Sequence, residues 1–449
     1  MKTRIYTPGA GHQPPVLAGR DELLRDWRLM LNETAARGRV GAEDTILLGP
    51  RGVGKTALLR AYSAEAEQNG SVVVNLQAVR SETGLIEALL HHARTESSAD
   101  VGPWRRARTA LEHLAGFNLS VGGFGAGIDI RDPSAPAARP DASSLAAALA
   151  KVADEAGQDT PGAGLLVTID ELQVAGHPDL ALLAATLHRL NVEHPQANVT
   201  FAATGLPFTP SVLEAAGVTH PDRLFAVEDL PLTLSPADAR YALVEPARGA
   251  RVTWHADALE RVIAVTNGYP AHLQLLADRV WRTAPGPNSL SLEDVEAAVP
   301  GLVEELGRRT FGPRWERMTD RHAEFLAALA LLGGRAETAE VSAVLGRPVP
   351  QLSWIRDQLI KEGDIYAPRY GQVAMAVPLF TPFVLARYPL DREASADLLT
   401  LAEMEERARP QSQLTRELPA PSPHPKTLRP AQGHDRKPPQ EKPPSGPRR

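Results

Sequence analysis

The sequence of 449 residues contains no cysteine. That excludes disulfides, thiolate-held zinc and a thiol nucleophile. It also lacks any apolar run near the length that crosses a bilayer. Its opening stretch, Met1-Lys2-Thr3-Arg4-Ile5-Tyr6-Thr7-Pro8, has no apolar core of the signal-peptide kind. The expectation is a cytoplasmic protein with no membrane partner. A large excess of either charge is missing too: the formal net charge is −6, so the molecule as a whole is no polycation. What remains is ordinary for a globular protein, with 43% hydrophobic and 23% charged residues. The length suits two or three domains.

One stretch dominates what is present. Gly49-Pro50-Arg51-Gly52-Val53-Gly54-Lys55-Thr56 satisfies the phosphate-loop pattern G-x-x-x-x-G-K-[ST] at every fixed position. Thr45-Ile46-Leu47-Leu48 before it reads as a buried strand, and Ala57 to Ala66 after it as an amphipathic helix. Strand, glycine loop, helix is the order the motif requires. The glycines let backbone N–H groups of Gly49 to Ala57 converge on phosphate oxygens, and the helix N-terminus adds partial positive charge. Lys55 is expected at the β- and γ-phosphates and Thr56 on Mg²⁺, so the expected ligands are ATP and Mg²⁺.

Gly164-Leu165-Leu166-Val167-Thr168-Ile169-Asp170-Glu171 is an apolar run ending in two acids, the Walker B pattern. The run reads as a central parallel strand. Asp170 is expected to hold Mg²⁺ through water and Glu171 to polarise the attacking water. The plainer alternative for each motif is a structural turn, and their pairing favours chemistry.

Other segments fill in the order. Residues 1–15, with three prolines and two glycines, read as an extended arm. Asp21 can cap a helix carrying Leu23, Leu24, Trp27, Met30 and Leu31. Gly116 to Ile130 alternates around Gly122-Gly123 and reads as a hairpin, closed by a proline-rich linker from Asp132 to Pro140. Ser235-Pro236 opens a helical region reaching about residue 311. Beyond it come helices at Trp315–Leu332, Thr338–Leu345 and Gln351–Lys361, a hairpin at Asp364–Val377 and a final helix at Pro378–Tyr388. Helix, helix, helix, hairpin is the winged-helix order. The third helix turns Leu352, Ile355, Leu359 and Ile360 inward and leaves Ser353, Arg356, Gln358 and Lys361 outward. From Pro410 onward there are 11 prolines in 40 residues, a composition that favours disorder; this tail is basic after Pro425.

These motifs resemble the AAA+ P-loop ATPase superfamily, nearest to origin-recognition-like and STAND-adjacent bacterial ATPases. Val16 to Leu24 resembles the segment that folds over the base there. The resemblance makes Thr204, at the end of the strand Asn198–Gly205, a sensor 1, and places Arg223 where an arginine often reaches a nucleotide, sometimes across a subunit interface. Asn267-Gly268-Tyr269-Pro270 resembles the family's G-x-P lid motif, but the arginine called sensor 2 is absent there; His272 and Arg279 are the nearby substitutes. The implied fold is an α/β P-loop sandwich with a parallel sheet over 16–232 (insertion at about 116–140), an α-helical lid over 233–311, a winged helix over 312–390 and a tail over 391–449. Three functions remain open: an ATPase remodelling or loading onto duplex DNA, an ATP-dependent switch read by a protein partner, and a nucleotide-binding scaffold with little turnover. An ATP-dependent homo-oligomer fits the first two.

Overall fold

The computed structural model of the protein describes residues 4–9, 11–79, 84–97, 102–107, 140–284, 288–369 and 371–388. The hairpin expected at Gly116–Ile130 and the tail from residue 391 lie outside them. Among the described residues no helix is long and apolar enough to cross a membrane.

Five strands build the central sheet: β1 (Thr45–Leu48), β2 (Val72–Gln77), β3 (Leu165–Asp170), β4 (Val199–Gly205) and β5 (Ala226–Asp229). All pair in parallel, in the order β2-β3-β4-β1-β5. β1 and β4 are buried along their whole length and β3 up to its last residue, while β2 and β5 at the edges are half exposed. Continuous apolar runs are what a parallel strand covered on both faces requires. Alternate side chains then feed two cores. Ile46, Leu48, Val167, Ile169, Val199 and Phe201 face one, and Leu47, Leu166 and Ala202 the other.

The first core is closed by α3 (Leu85–Ser97), α4 (Ala142–Asp159) and α5 (His177–Glu193); the second by α1 (Asp21–Arg37) and α2 (Lys55–Gln68). Trp27 of α1 stacks on Tyr62 of α2, with ring centroids 4.1 Å apart. The helical region expected as a lid follows as α6 (Pro236–Gly249), α7 (Ala256–Thr266), α8 (Pro270–Thr283) and α9 (Leu292–Leu306), with two short parallel strands, β6 (Thr253–Trp254) and β7 (Ser289–Leu290), between them. Ser235 accepts from the Asp238 N–H at 3.1 Å and so caps α6. Asn267 and Gly268 take left-handed φ of 49° and 65° to end α7, and Pro270 starts α8.

The N-terminal arm is anchored to the lid. Tyr6 is fully buried; its hydroxyl donates to Leu243 O at 2.6 Å and accepts from Trp254 Nε1 at 2.8 Å. Arg4 binds Asp278 through two bonds of 2.7 Å. A proline- and glycine-rich composition conceals this, because one buried aromatic decides it.

After the lid, the helix expected from Trp315 to Leu332 begins only at Asp320, as α10 (Asp320–Leu331). Thr319 caps it, accepting from His322 N at 3.3 Å, and a π-helical segment, Gly307–Phe311, continues the lid instead. β8 (Arg335–Glu337), too short to show a period of two, was not expected. It pairs antiparallel with β10 (Gln372–Met375), which also pairs with β9 (Ile365–Tyr366). Around this sheet pack α10, α11 (Thr338–Leu345), α12 (Val349–Glu362) and α13 (Phe380–Arg387).

Candidate functional site

The carboxyl ends of β3, β4 and β1 are neighbours, so Asp170, Thr204 and the loop 49–56 arrive side by side. Gly54 is the N-cap of α2 at φ 97°, and Gly52 has φ 90°. Both values favour glycine. A Cβ on Gly52 would also stand 3.0 Å from Tyr269 Cε1 and from Ala271 Cβ, so the lid sits directly on the loop.

Lys55 is buried, and its Nζ donates to Gly49 O at 2.8 Å and Pro50 O at 3.0 Å. Burial lowers its pKa, Glu171 and Asp170 oppose that, and Arg51 adds to it. Thr56 Oγ1 donates to the Asp170 carboxylate at 3.0 and 3.2 Å. Thr204, fully buried, donates its hydroxyl to Asp170 Oδ1 and accepts from Glu171 N at 3.0 Å. Glu171 is held at φ 58°, in the left-handed region that a non-glycine residue rarely occupies. Its carboxylate accepts from Gln173 Nε2, while Gln173 Oε1 accepts from Leu206 N at 3.2 Å. Gln173 therefore ties Glu171 to the end of β4. Sequence reasoning missed it, since glutamine two residues past an acid carries no motif.

Two further residues grip the loop. Arg20, buried, donates to Val53 O at 3.1 Å. Tyr269, also buried, donates its hydroxyl to Arg51 O, and Ala271 N donates to Gly52 O at 3.1 Å. A cavity of about 770 Å³ opens here, bounded by the arm at Gly9 and His12, by Arg51 to Ala57, by Glu171 and by Tyr269 to Leu275. His272 lines it; burial pushes this imidazole down to about 4, and its Nδ1 has no hydrogen-bond partner among the described residues.

Residues 16–201 match the family described as AAA ATPase domain. Over these residues the chain is similar to AAA ATPase domains. Solved structures agree on the fold. A Walker-type ATPase of Pyrococcus abyssi superposes with a TM-score of 0.55 at 18% identity, over 82% of this chain and 96% of that one. The ORC2 protein of Aeropyrum pernix, described in ADPNP–ADP complexes, gives 0.51 at 16% identity, over 84% and 97%. Residues 308–384 match a family described as Domain of unknown function (DUF8462). No curated protein matches the chain.

The remaining expected residues fall elsewhere. Arg223 lies in a single turn, Pro221–Leu224, just before β5. That is the amino end of the sheet, where Ala226 N bonds Asp44 O, opposite the loop. Arg223 thus stands apart from the loop 49–56 of its own chain. Of the two sensor 2 substitutes, His272 lines the cavity, whereas Arg279 does not and pairs with Glu305 at 3.3 Å.

Proposed function

We propose that this protein binds ATP with Mg²⁺ at the loop 49–56, hydrolyses it, and passes the nucleotide state to a protein partner through residues beyond the lid. The observation carrying the reading is the cavity itself. It is bounded at once by the loop, by the first turn of α8, and by Arg314 and Val377 from the C-terminal part. A ligand there touches three parts of the chain, and each part answers to it.

The loop amides and Lys55 hold the phosphates, the lysine exchanging two carbonyl partners for stronger, charge-assisted bonds. Thr56 and Asp170 are hard oxygen donors in mutual contact, the kind Mg²⁺ takes. A Mg²⁺ ion held by Thr56 and Asp170 would supply positive charge against the phosphate oxygens. Glu171 orients the attacking water, and Thr204 keeps Asp170 and the Glu171 backbone in place. Because Arg223 stands far from this loop, any role for it in hydrolysis belongs across an interface, in an ATP-dependent homo-oligomer.

Helix, strand, helix, helix, hairpin supports reading residues 320–375 as a winged helix. A protein partner fits its exposed face better than duplex DNA does. Arg356 is engaged by Asp357 at 3.1 Å, Arg369 by Glu337 at 3.2 Å and Gln358 by Glu362 at 2.9 Å. Trp354 of α12, its ring centroid 5.8 Å from that of His322, is 66% exposed, and tryptophan is enriched at protein hot spots. Calorimetry with ATP and Mg²⁺ tests the site: Lys55→Ala is expected to weaken binding roughly a hundredfold or more, and unchanged affinity removes the assignment. Fluorescence anisotropy with duplex DNA over a salt series tests the partner. Salt-sensitive binding lost in Arg356→Ala/Lys361→Ala/Arg369→Ala would favour DNA instead.

A further inference from the structure

Arg314 belongs to neither motif nor lid. It follows the π-helical segment, in the turn Gly312–Trp315, and its side chain is 18% exposed. It nonetheless lines the same cavity as Arg51, Gly52 and Lys55. The described partners of its guanidinium lie at one place. Nε pairs with Asp364, and Nη2 donates to Glu362 O at 3.2 Å, with the Phe380 ring centroid 5.7 Å away. Glu362 O is at the C-terminal, negative end of α12, and Asp364 leads into β9. Asp364 N bonds Leu359 O at 2.9 Å, and Asp364 O accepts from Ala376 N at 2.9 Å. Arg314 therefore clasps the joint between α12 and the β9–β10 hairpin while facing the phosphate loop.

Electrostatics leave this joint unsettled. Burial lowers the Arg314 pKa, Asp364 opposes that, and Arg51 lowers it further. Burial pushes Asp364 up to about 6 despite Arg314. Of the lysine and arginine side chains that border this cavity, Arg51 acts electrostatically on both Lys55 and Arg314, and among the described residues Arg314 is the member of this trio that pairs with a carboxylate. A polyphosphate is the anion this arrangement complements, and arginine suits it through its planar fork.

We propose that Arg314 is a phosphate-binding residue for the nucleotide in the loop, and that Asp364 competes with the phosphates for it. In this arrangement Arg314 stands on Asp364 and holds α12 against the hairpin. With a nucleoside triphosphate in the cavity it turns to the terminal phosphate and the α12 joint loosens. The lid lacks an arginine at the start of α8, and Arg314 supplies the missing cation from the other side. This inference rests on the nucleotide reading of the cavity.

The test uses the full chain. Calorimetry with ATP is run on the wild type, Lys55→Ala, Arg314→Gln, Asp364→Asn and the Arg314→Gln/Asp364→Asn pair, which leaves no orphaned buried charge. Hydrogen exchange follows the amides of Gly363, Asp364 and Ala376. The expected result is a loss of ATP affinity of roughly tenfold or more in Arg314→Gln and in the double variant. Asp364→Asn should bind ATP more tightly than the wild type, because the competing carboxylate is gone. ATP should speed exchange at the three amides in the wild type and leave it unchanged in the double variant. Wild-type ATP affinity in the double variant, with binding lost in Lys55→Ala, overturns the role of Arg314 alone. Wild-type affinity in Lys55→Ala as well overturns the nucleotide reading beneath it.

Discussion

The two ends of the parallel sheet each hold buried charge, and they treat it differently. At the amino end Arg39 and Asp44 are almost fully buried. Arg39 binds both Asp44 oxygens, Asn191 Oδ1 at 2.9 Å and Val199 O at 2.7 Å, and Asp44 also accepts from Phe201 N at 2.8 Å. At the carboxyl end Lys55 rests on two backbone carbonyls, His272 leaves Nδ1 unpartnered among the described residues, and Glu171 sits in a strained conformation. A buried ion with matched partners locks a fold. One with weak partners waits for a ligand, and its strain persists because the surroundings impose it.

Four substitutions probe that contrast, from the largest expected effect down. Glu171→Gln should retain ATP affinity yet lower turnover by roughly 10²- to 10⁴-fold, since the carboxylate that handles the water is lost; single-turnover hydrolysis measures it. Asp44→Ala should cost about 3–5 kcal/mol of unfolding free energy, because Arg39 is left buried and uncompensated. Denaturant titration checks this, and ATP affinity of the folded fraction should not move. A change in affinity without loss of stability would erase the distinction between the two ends.

The third concerns pH. Burial lowers His272 from 6.5 to about 4. Its contribution is therefore complete above pH 6.5 and is lost as the pH falls toward 4, about 3 kcal/mol in all. Asp364, raised from 3.8 to about 6, works in the opposite sense. Its contribution is complete below pH 3.8 and is lost as the pH rises through 6. His272→Phe removes the first, so between pH 4 and 6 the nucleotide-free variant should lose stability as pH rises. Thermal unfolding over a pH series reads the sign. The smallest effect is expected from Gln173→Ala, which frees the Glu171 carboxylate but leaves the acid itself: turnover should change by about tenfold or less with ATP affinity intact.

Local signals explain which parts of this site were legible. The loop, its helix and the acid pair declare themselves within a few residues, because glycine conformation, helix onset and strand burial are local demands. The lid boundary at Asn267 to Pro270 was equally readable, as a left-handed stop followed by a proline start. Thr319 displaced the expected start of α10, and β8 escaped notice, because short elements leave too few positions to establish a period. Arg4, Gln173 and Arg314 show no local pattern, since each acts on a partner brought near by the fold.

By itself the sequence determined that a glycine loop, a buried strand ending in two acids and a helical region follow one another, because each depends on backbone preferences and apolar spacing over a short span. Only the tertiary structure decided that Arg223 lies at the far end of the sheet from the loop, that Tyr269 rests on Arg51, and that Arg314 reaches the cavity from beyond the lid. Parallel pairing sends all five strand ends to the same side, and residues scores of positions apart then share one pocket. Distance along the chain carries no information about such meetings, so their chemistry becomes visible only once the chain has closed on itself.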